Sequence, residues 1–195
     1  FLLVDFDTIS RTNINRVISA VDSTVGKPKT DAMKERILSI NPNAIVETYY
    51  GFFDEETKNM LLDRDFDIVV DAIDSMNLKV LLIEELYKRE IKAISSMGAA
   101  GKLDVTKIKI ADISKTHMCP LARRVRKMLH RRDIKKGIMT VFSPEESVAP
   151  VDPDSVNAEL LDRGRVRKIH GTMSYYIAVF SGFIVNWMIS ELIKN

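Results

Sequence analysis

Residues 66–74, FDIVVDAID, form an almost unbroken apolar run closed by acids, and the reading of that run decides the fold. A strand with one wet face alternates apolar and polar side chains. A run without alternation suits a strand covered on both faces, as in a parallel sheet. The segment that follows, MNLKVLLIEELYKREI at 76–91, has helical spacing, and KAISSMGAAG at 92–101 reads as another strand ending in a glycine-rich turn. Upstream, FLLVDFD at 1–7 is a strand, and GKPKTDAMKERILSINP at 26–42 is a helix with Met33, Ile37 and Leu38 along one side. AIVETYYGFF at 44–53 looks like a strand, NMLLDR at 59–64 like a helix, and KIKIADI at 107–113 like a short alternating strand. Strands alternating with helices at this spacing imply βαβ units and an α/β, doubly wound, mostly parallel sheet. With 195 residues and 46% hydrophobic content, one domain spanning 1–195 can bury its own core.

Composition narrows the chemistry. A single cysteine, Cys119, excludes an intramolecular disulfide and a Cys-rich zinc site, and it fits a reducing, cytoplasmic compartment. The only candidate for membrane association is YYIAVFSGFIVNWMISELI at 175–193, which Asn186 and Glu191 interrupt, so a buried or dimer-interface helix reads better. Tyr175, Tyr176, Phe180, Phe183 and Trp187 have the spacing of a buried helix face. The net charge of +2 hides an asymmetry: Lys115–Lys136 holds nine Lys or Arg and one acid, so it carries +8 against −6 elsewhere. One concentrated basic patch on a near-neutral chain suggests a polyanionic partner contacted locally.

In an open α/β sheet, ligands sit outside the carboxyl ends of the strands, and an acid ending the second strand accepts hydrogen bonds from a ribose. Asp5 and Asp7 are placed for that. The glycine-rich turn that should precede them is missing, so Phe1 is expected to open the second strand of the fold. TNINR at 12–16, VGKPK at 25–29 and VVDAIDS at 69–75 then follow. In this order they resemble the nucleotide site of the superfamily that adenylates carboxylates, with its Rossmann-like fold. That superfamily includes the ubiquitin-activating enzymes and the adenylyltransferases for sulfur carriers. The resemblance implies Asp5, Asp7, Thr12, Asn13, Arg16, Lys29, Asp74 and Ser75 as ATP-binding residues. It makes Arg16, Lys29 and Asp74 catalytic, with Asp74 the ligand of Mg2+. Taken alone, Asn13 equally suits a turn former, and Lys29 a helix start.

The chain lacks the Cys-x-x-Cys pairs of the carrier adenylyltransferases. DAIDSMNLKVLLI, SSMGAAGKLDVTKIKIADISKT, PLARRVRKML, VFSPE and GTMSYYIAVFSGFIV resemble instead the tRNA threonylcarbamoyladenosine dehydratases, over essentially the whole chain. In that family ATP adenylates the carboxylate of the modified nucleoside, and intramolecular attack expels AMP and closes a ring. The implied partner is tRNA, with a homodimer expected and sulfur-transfer proteins as further partners. The basic patch then has a purpose. Leu121, Val125 and Leu129 recur at i, i+4 and i+8 and face the core, which leaves Arg123, Arg124, Arg126, Lys127, Arg131 and Arg132 for phosphates. RGRVRKIH at 163–170 adds Arg165 and Arg167, in or beside a crossover loop at about 143–172 that VFSPEESVAPVDPDSV opens. His117, His130 and His170 are assigned no catalytic role. Gly98–Gly101 reads as a close approach to substrate or as a plain turn. The alternatives are an adenylyltransferase for a ubiquitin-like carrier and a non-catalytic nucleotide-binding scaffold.

Overall fold

A computed structural model describes residues 1–149 and 171–194, in two compact units, Phe1–Lys92 and Ala93–Asn195. In the first unit, β1 (Leu2–Asp5) pairs in parallel with β2 (Glu47–Tyr50), Leu2 opposite Glu47 and Asp5 opposite Tyr50. Between them runs α1 (Lys29–Ile40). Pro28, with φ −53°, sets the chain for the first helical turn, and Asn41–Pro42 stops it, because proline has no amide hydrogen to continue the ladder. A clip precedes α1: the Ile9 amide donates to Lys27 O at 2.8 Å, and the Gly26 amide donates to Ile9 O at 2.8 Å. Gly26 has φ +88°, a left-handed conformation that costs a glycine little. Ile9, Ala20 and Ala32 are buried together and pack this clip on α1.

The rest of the first unit is α2 (Lys58–Leu62), β3 (Val69–Asp71) and α3 (Met76–Lys88). The observed β3 is shorter than the apolar run 66–74 suggests, because the chain turns at Asp71 to enter α3. Val80, Leu81, Leu82, Ile83 and Leu86 are buried, which explains why the helix tolerates so apolar a sequence.

In the second unit, β4 (Ala93–Ser96) runs parallel to β6 (Met139–Phe142), and β5 (Lys109–Asp112) pairs with β6 antiparallel. Sequence reading takes Val141 and Phe142 as the start of a loop. Instead they belong to β6, the strand between β4 and β5, and are fully buried. Four apolar-rich residues flanked by Gly137 and Pro144 are too short for alternation to show. The basic helix α4 (Pro120–His130) starts with Pro at its first position, and α5 (Ser174–Leu192) follows the residues not described. Tyr176, Phe180 and Ile184 of α5 form one core with Ile94, Ile108 and Val141. By length and composition α5 could cross a membrane, yet this face is built into the unit.

Candidate active site

The first-unit candidates begin at the carboxyl end of β1. Asp5 Oδ1 accepts the Asp7 amide at 2.8 Å, a turn that fixes the carboxylate at the strand tip. Asp7 O accepts the Lys29 amide at 3.0 Å, and Asp7 Oδ2 accepts from Lys29 Nζ at 2.5 Å. The side chains of Lys29 and Asp7 are 25% and 44% exposed, so this pair is open to an incoming anion. The clip therefore brings together Asp5, Asp7 and Lys29, residues up to 24 positions apart in the chain.

Thr12, Asn13 and Arg16 share a tight turn that is bonded within itself. Asn13 Oδ1 accepts the Ser10 amide at 3.1 Å, and Thr12 Oγ1 lies 2.7 Å from Ser10 Oγ. Asn13 is buried and serves the turn, as its reading in isolation allows. Arg16 Nη1 donates to Thr12 O at 2.6 Å and to Asn15 Oδ1 at 2.9 Å. Its guanidinium is folded back on the turn, with donors left over for a phosphate.

The two acids of VVDAIDS have opposite surroundings. Asp74 is exposed, and its carboxylate has no hydrogen-bond or ion-pair partner among the described residues. Ser75 is the N-cap residue of α3, yet its side chain makes no capping bond. Asp71 is only 1% exposed and Lys79 is fully buried, with Lys79 Nζ 2.6 Å from Asp71 Oδ2. Sequence reading missed this pair. The signal was a lone lysine within NLKVLLI, on the same helical face as Ile83 and Leu86. No cluster of three or more acid, His or Cys side chains suited to a metal occurs among the described residues. Asp74 fits a magnesium ion that takes one carboxylate and draws its other ligands from phosphates and water.

In the second unit, α4 carries a cationic face. Ala122, Val125 and Leu129 are fully buried, while Arg123, Arg126, Lys127, His130 and Arg131 line a concavity of about 430 Å³. Arg126 is tied down: its Nη1 donates to Ile113 O at 3.2 Å, to Thr116 O at 2.8 Å and to Thr116 Oγ1. Arg132 Nη1 donates to Met128 O at 3.3 Å, and Arg124 is exposed. Arg165 and Arg167 lie outside the described residues, as does most of the expected crossover loop. At the loop's described base, buried Lys102 donates to Ser143 O at 2.9 Å and to Glu145 O at 2.6 Å. Burial pushes the Lys102 amine below its ordinary range, against the pull of Cys119 and Glu145. Glu145 Oε1 accepts the Leu103 amide at 2.9 Å in return. Gly101, with φ +70°, accepts from the Val148 amide at 2.7 Å and donates to Gly171 O at 2.8 Å. Gly101 therefore serves backbone geometry at the loop's two ends, whereas a Cβ at Gly98 would meet only ordinary contacts with Leu121.

A family model described as the ThiF family matches residues 1–195. The chain belongs to the ThiF family. This ThiF-family chain is 46% identical, over 100% of its length and 77% of the relative's, to the tRNA threonylcarbamoyladenosine dehydratase of Bacillus subtilis. It superposes with TM-score 0.81 and 28% identity on the E. coli tRNA N6-threonylcarbamoyladenosine dehydratase solved in complex with ATP, covering 100% of this chain and 77% of that one. Similarity to the molybdopterin-synthase adenylyltransferase of Haemophilus influenzae is 31% over only 52% of this chain and 41% of the relative.

Proposed function

We propose that this ThiF-family chain catalyses the ATP-dependent, cyclising dehydration of threonylcarbamoyladenosine in tRNA. The observation that carries the reading is the 46% identity with the B. subtilis dehydratase across every residue of the chain, the basic helix included. Likeness to the carrier-protein adenylyltransferase stops at about half the chain.

The geometry supports a division of labour. The free oxygen of Asp5 accepts the ribose hydroxyls, while Lys29 and Arg16 face the phosphates. Attack by the substrate carboxylate on the α-phosphorus forms a P–O bond and breaks the bond to the bridging oxygen, releasing pyrophosphate. Negative charge grows on the phosphate oxygens, and Lys29 and Arg16 stabilise it. Asp74, with Ser75 beside it, would hold Mg2+, which would supply further charge neutralisation. Intramolecular attack on the mixed anhydride then closes the ring and expels AMP, so one water is lost overall. No thioester forms, in keeping with a single cysteine that is buried.

The exposed cations of α4 hold tRNA through its phosphates, without reading sequence. A homodimer suits the outward apolar residues Val185 and Ile189 of α5, which are 54% and 53% exposed. ATP and tRNA as substrates suit a cytoplasmic reaction, and sulfur-transfer proteins are partners to seek by co-purification. Mass spectrometry of tRNA nucleosides after incubation with ATP and Mg2+ tests the reading. Loss of one water from threonylcarbamoyladenosine is expected, slowed about 10²–10³-fold in Asp74→Asn. ATP–pyrophosphate exchange stimulated by a carrier protein, and not by modified tRNA, would overturn it.

A further inference from the structure

We infer that the buried Asp71–Lys79 ion pair is a positioning device that sets the direction of Asp74 and Ser75. The inference rests on the reading of Asp74 as the metal-binding acid. Two opposite charges are sealed at 2.6 Å with side chains 1% and 0% exposed, on a helix whose neighbouring Val80, Leu82, Ile83 and Leu86 are all buried. A buried ion pair is seldom more stable than apolar side chains of the same volume, because desolvation offsets the attraction. Stability alone therefore does not explain it, and its geometry does.

Lys79 holds both ends of one short loop. Its Nζ donates to Asp71 Oδ2, at the last residue of β3, and its amide donates to Ser75 O at 2.9 Å, closing the first turn of α3. The other carboxylate oxygen of Asp71 accepts the Ile73 amide at 3.0 Å, inside the same loop. Ala72, Ile73, Asp74 and Ser75 are thus fastened from Asp71 on one side and from Lys79 on both. Asp74 and the Ser75 side chain are what the fastened loop presents to solvent. One acid of the motif is consumed internally, while the other has no hydrogen-bond or ion-pair partner among the described residues and is held in place through the backbone of the loop.

The experiment uses the intact protein with Asp71→Val plus Lys79→Met, which replaces the pair by apolar side chains. Thermal unfolding and calorimetric titration of ATP are measured, the latter with Mg2+ and with EDTA, beside Asp74→Asn as reference. The melting temperature is expected to hold. ATP affinity in Mg2+ is expected to fall about tenfold or more, while affinity in EDTA stays within about twofold. Should the apolar pair fail to fold, Asp71→Asn plus Lys79→Gln keeps the volume and one hydrogen bond, and is expected to show a smaller, still metal-specific loss. A metal-specific loss in Asp74→Asn with none in the folded pair variant overturns the inference alone. No metal-specific loss in Asp74→Asn overturns the metal reading, and the inference with it.

Discussion

If α4 follows a phosphate backbone, replacing two of its free cations must change the salt dependence of tRNA binding by a calculable amount. Arg123 and Lys127 are exposed on the concave face, whereas Arg126 is engaged with Ile113 and Thr116. The binding constant falls with salt by a logarithmic slope of about 0.7–0.9 per phosphate contact, so from about 50 to about 200 mM each contact accounts for about 2.6- to 3.5-fold. Arg123→Gln plus Lys127→Gln removes two contacts. Over that interval wild type should therefore lose about 7- to 12-fold more affinity than the variant. Filter binding across a salt series reads this directly. Arg126→Met is the internal control: it removes the one charged Nη1 donor that Ile113 O and Thr116 share and should cost at least one charge-assisted hydrogen bond, about 1.5–3 kcal/mol of stability, with the slope unmoved. Parallel salt curves for wild type and the Arg123, Lys127 variant would refute the reasoning, and so would a slope change confined to Arg126→Met.

Three further outcomes follow from local geometry. Thr30 Oγ1 is buried without a partner among the described residues, so Thr30→Val should raise stability by about 1 kcal/mol in chemical denaturation. A Cβ on residue 26 meets nothing within 4 Å among the described residues, yet φ is +88°, so Gly26→Ala should cost about 1 kcal/mol through backbone strain. Burial alone would push the Asp112 carboxyl up, but hydrogen bonds from Ser114, Gly137 and Ile138 outweigh it and hold the group below its ordinary value. Its contribution is therefore complete above the unfolded carboxyl's range and lost as pH falls through the lower folded value. The stability gap between wild type and Asp112→Asn, read by urea melts, should be constant near neutrality and close below about pH 4.

What was legible in the sequence had a period or an order. The helices α3 and α4 show in the spacing of the buried Val80 and Ile83 and of Val125 and Leu129, because a helix buries one stripe, and α1 shows in the spacing of Met33 and Ile37, which are only half-buried. Asp5, Asp7 and Lys29 show as short motifs in a fixed order, and the Thr8–Lys29 clip brings them together. What was not legible depends on contacts between distant residues. Strand β6 is too short to alternate, and its antiparallel pairing with β5 is set by the surrounding unit. Arg126 differs from Arg123 only in what stands opposite it, and nothing in RRVRK marks which arginine will meet Thr116. Asp71 and Asp74 are identical letters three apart, and only the fold decides that the first disappears into the interior.

With Lys29 proposed as a phosphate ligand, its contact with Asp7 would make ligand exchange a contest for one ammonium group. Anything that draws Lys29 away must outbid a carboxylate already seated 2.5 Å from it, in a place that water still reaches. A tail of three phosphates brings enough charge to win that contest, and a lone phosphate brings far less. On that reading the spent nucleotide competes for Lys29 less strongly than ATP does, and its departure returns the lysine to Asp7.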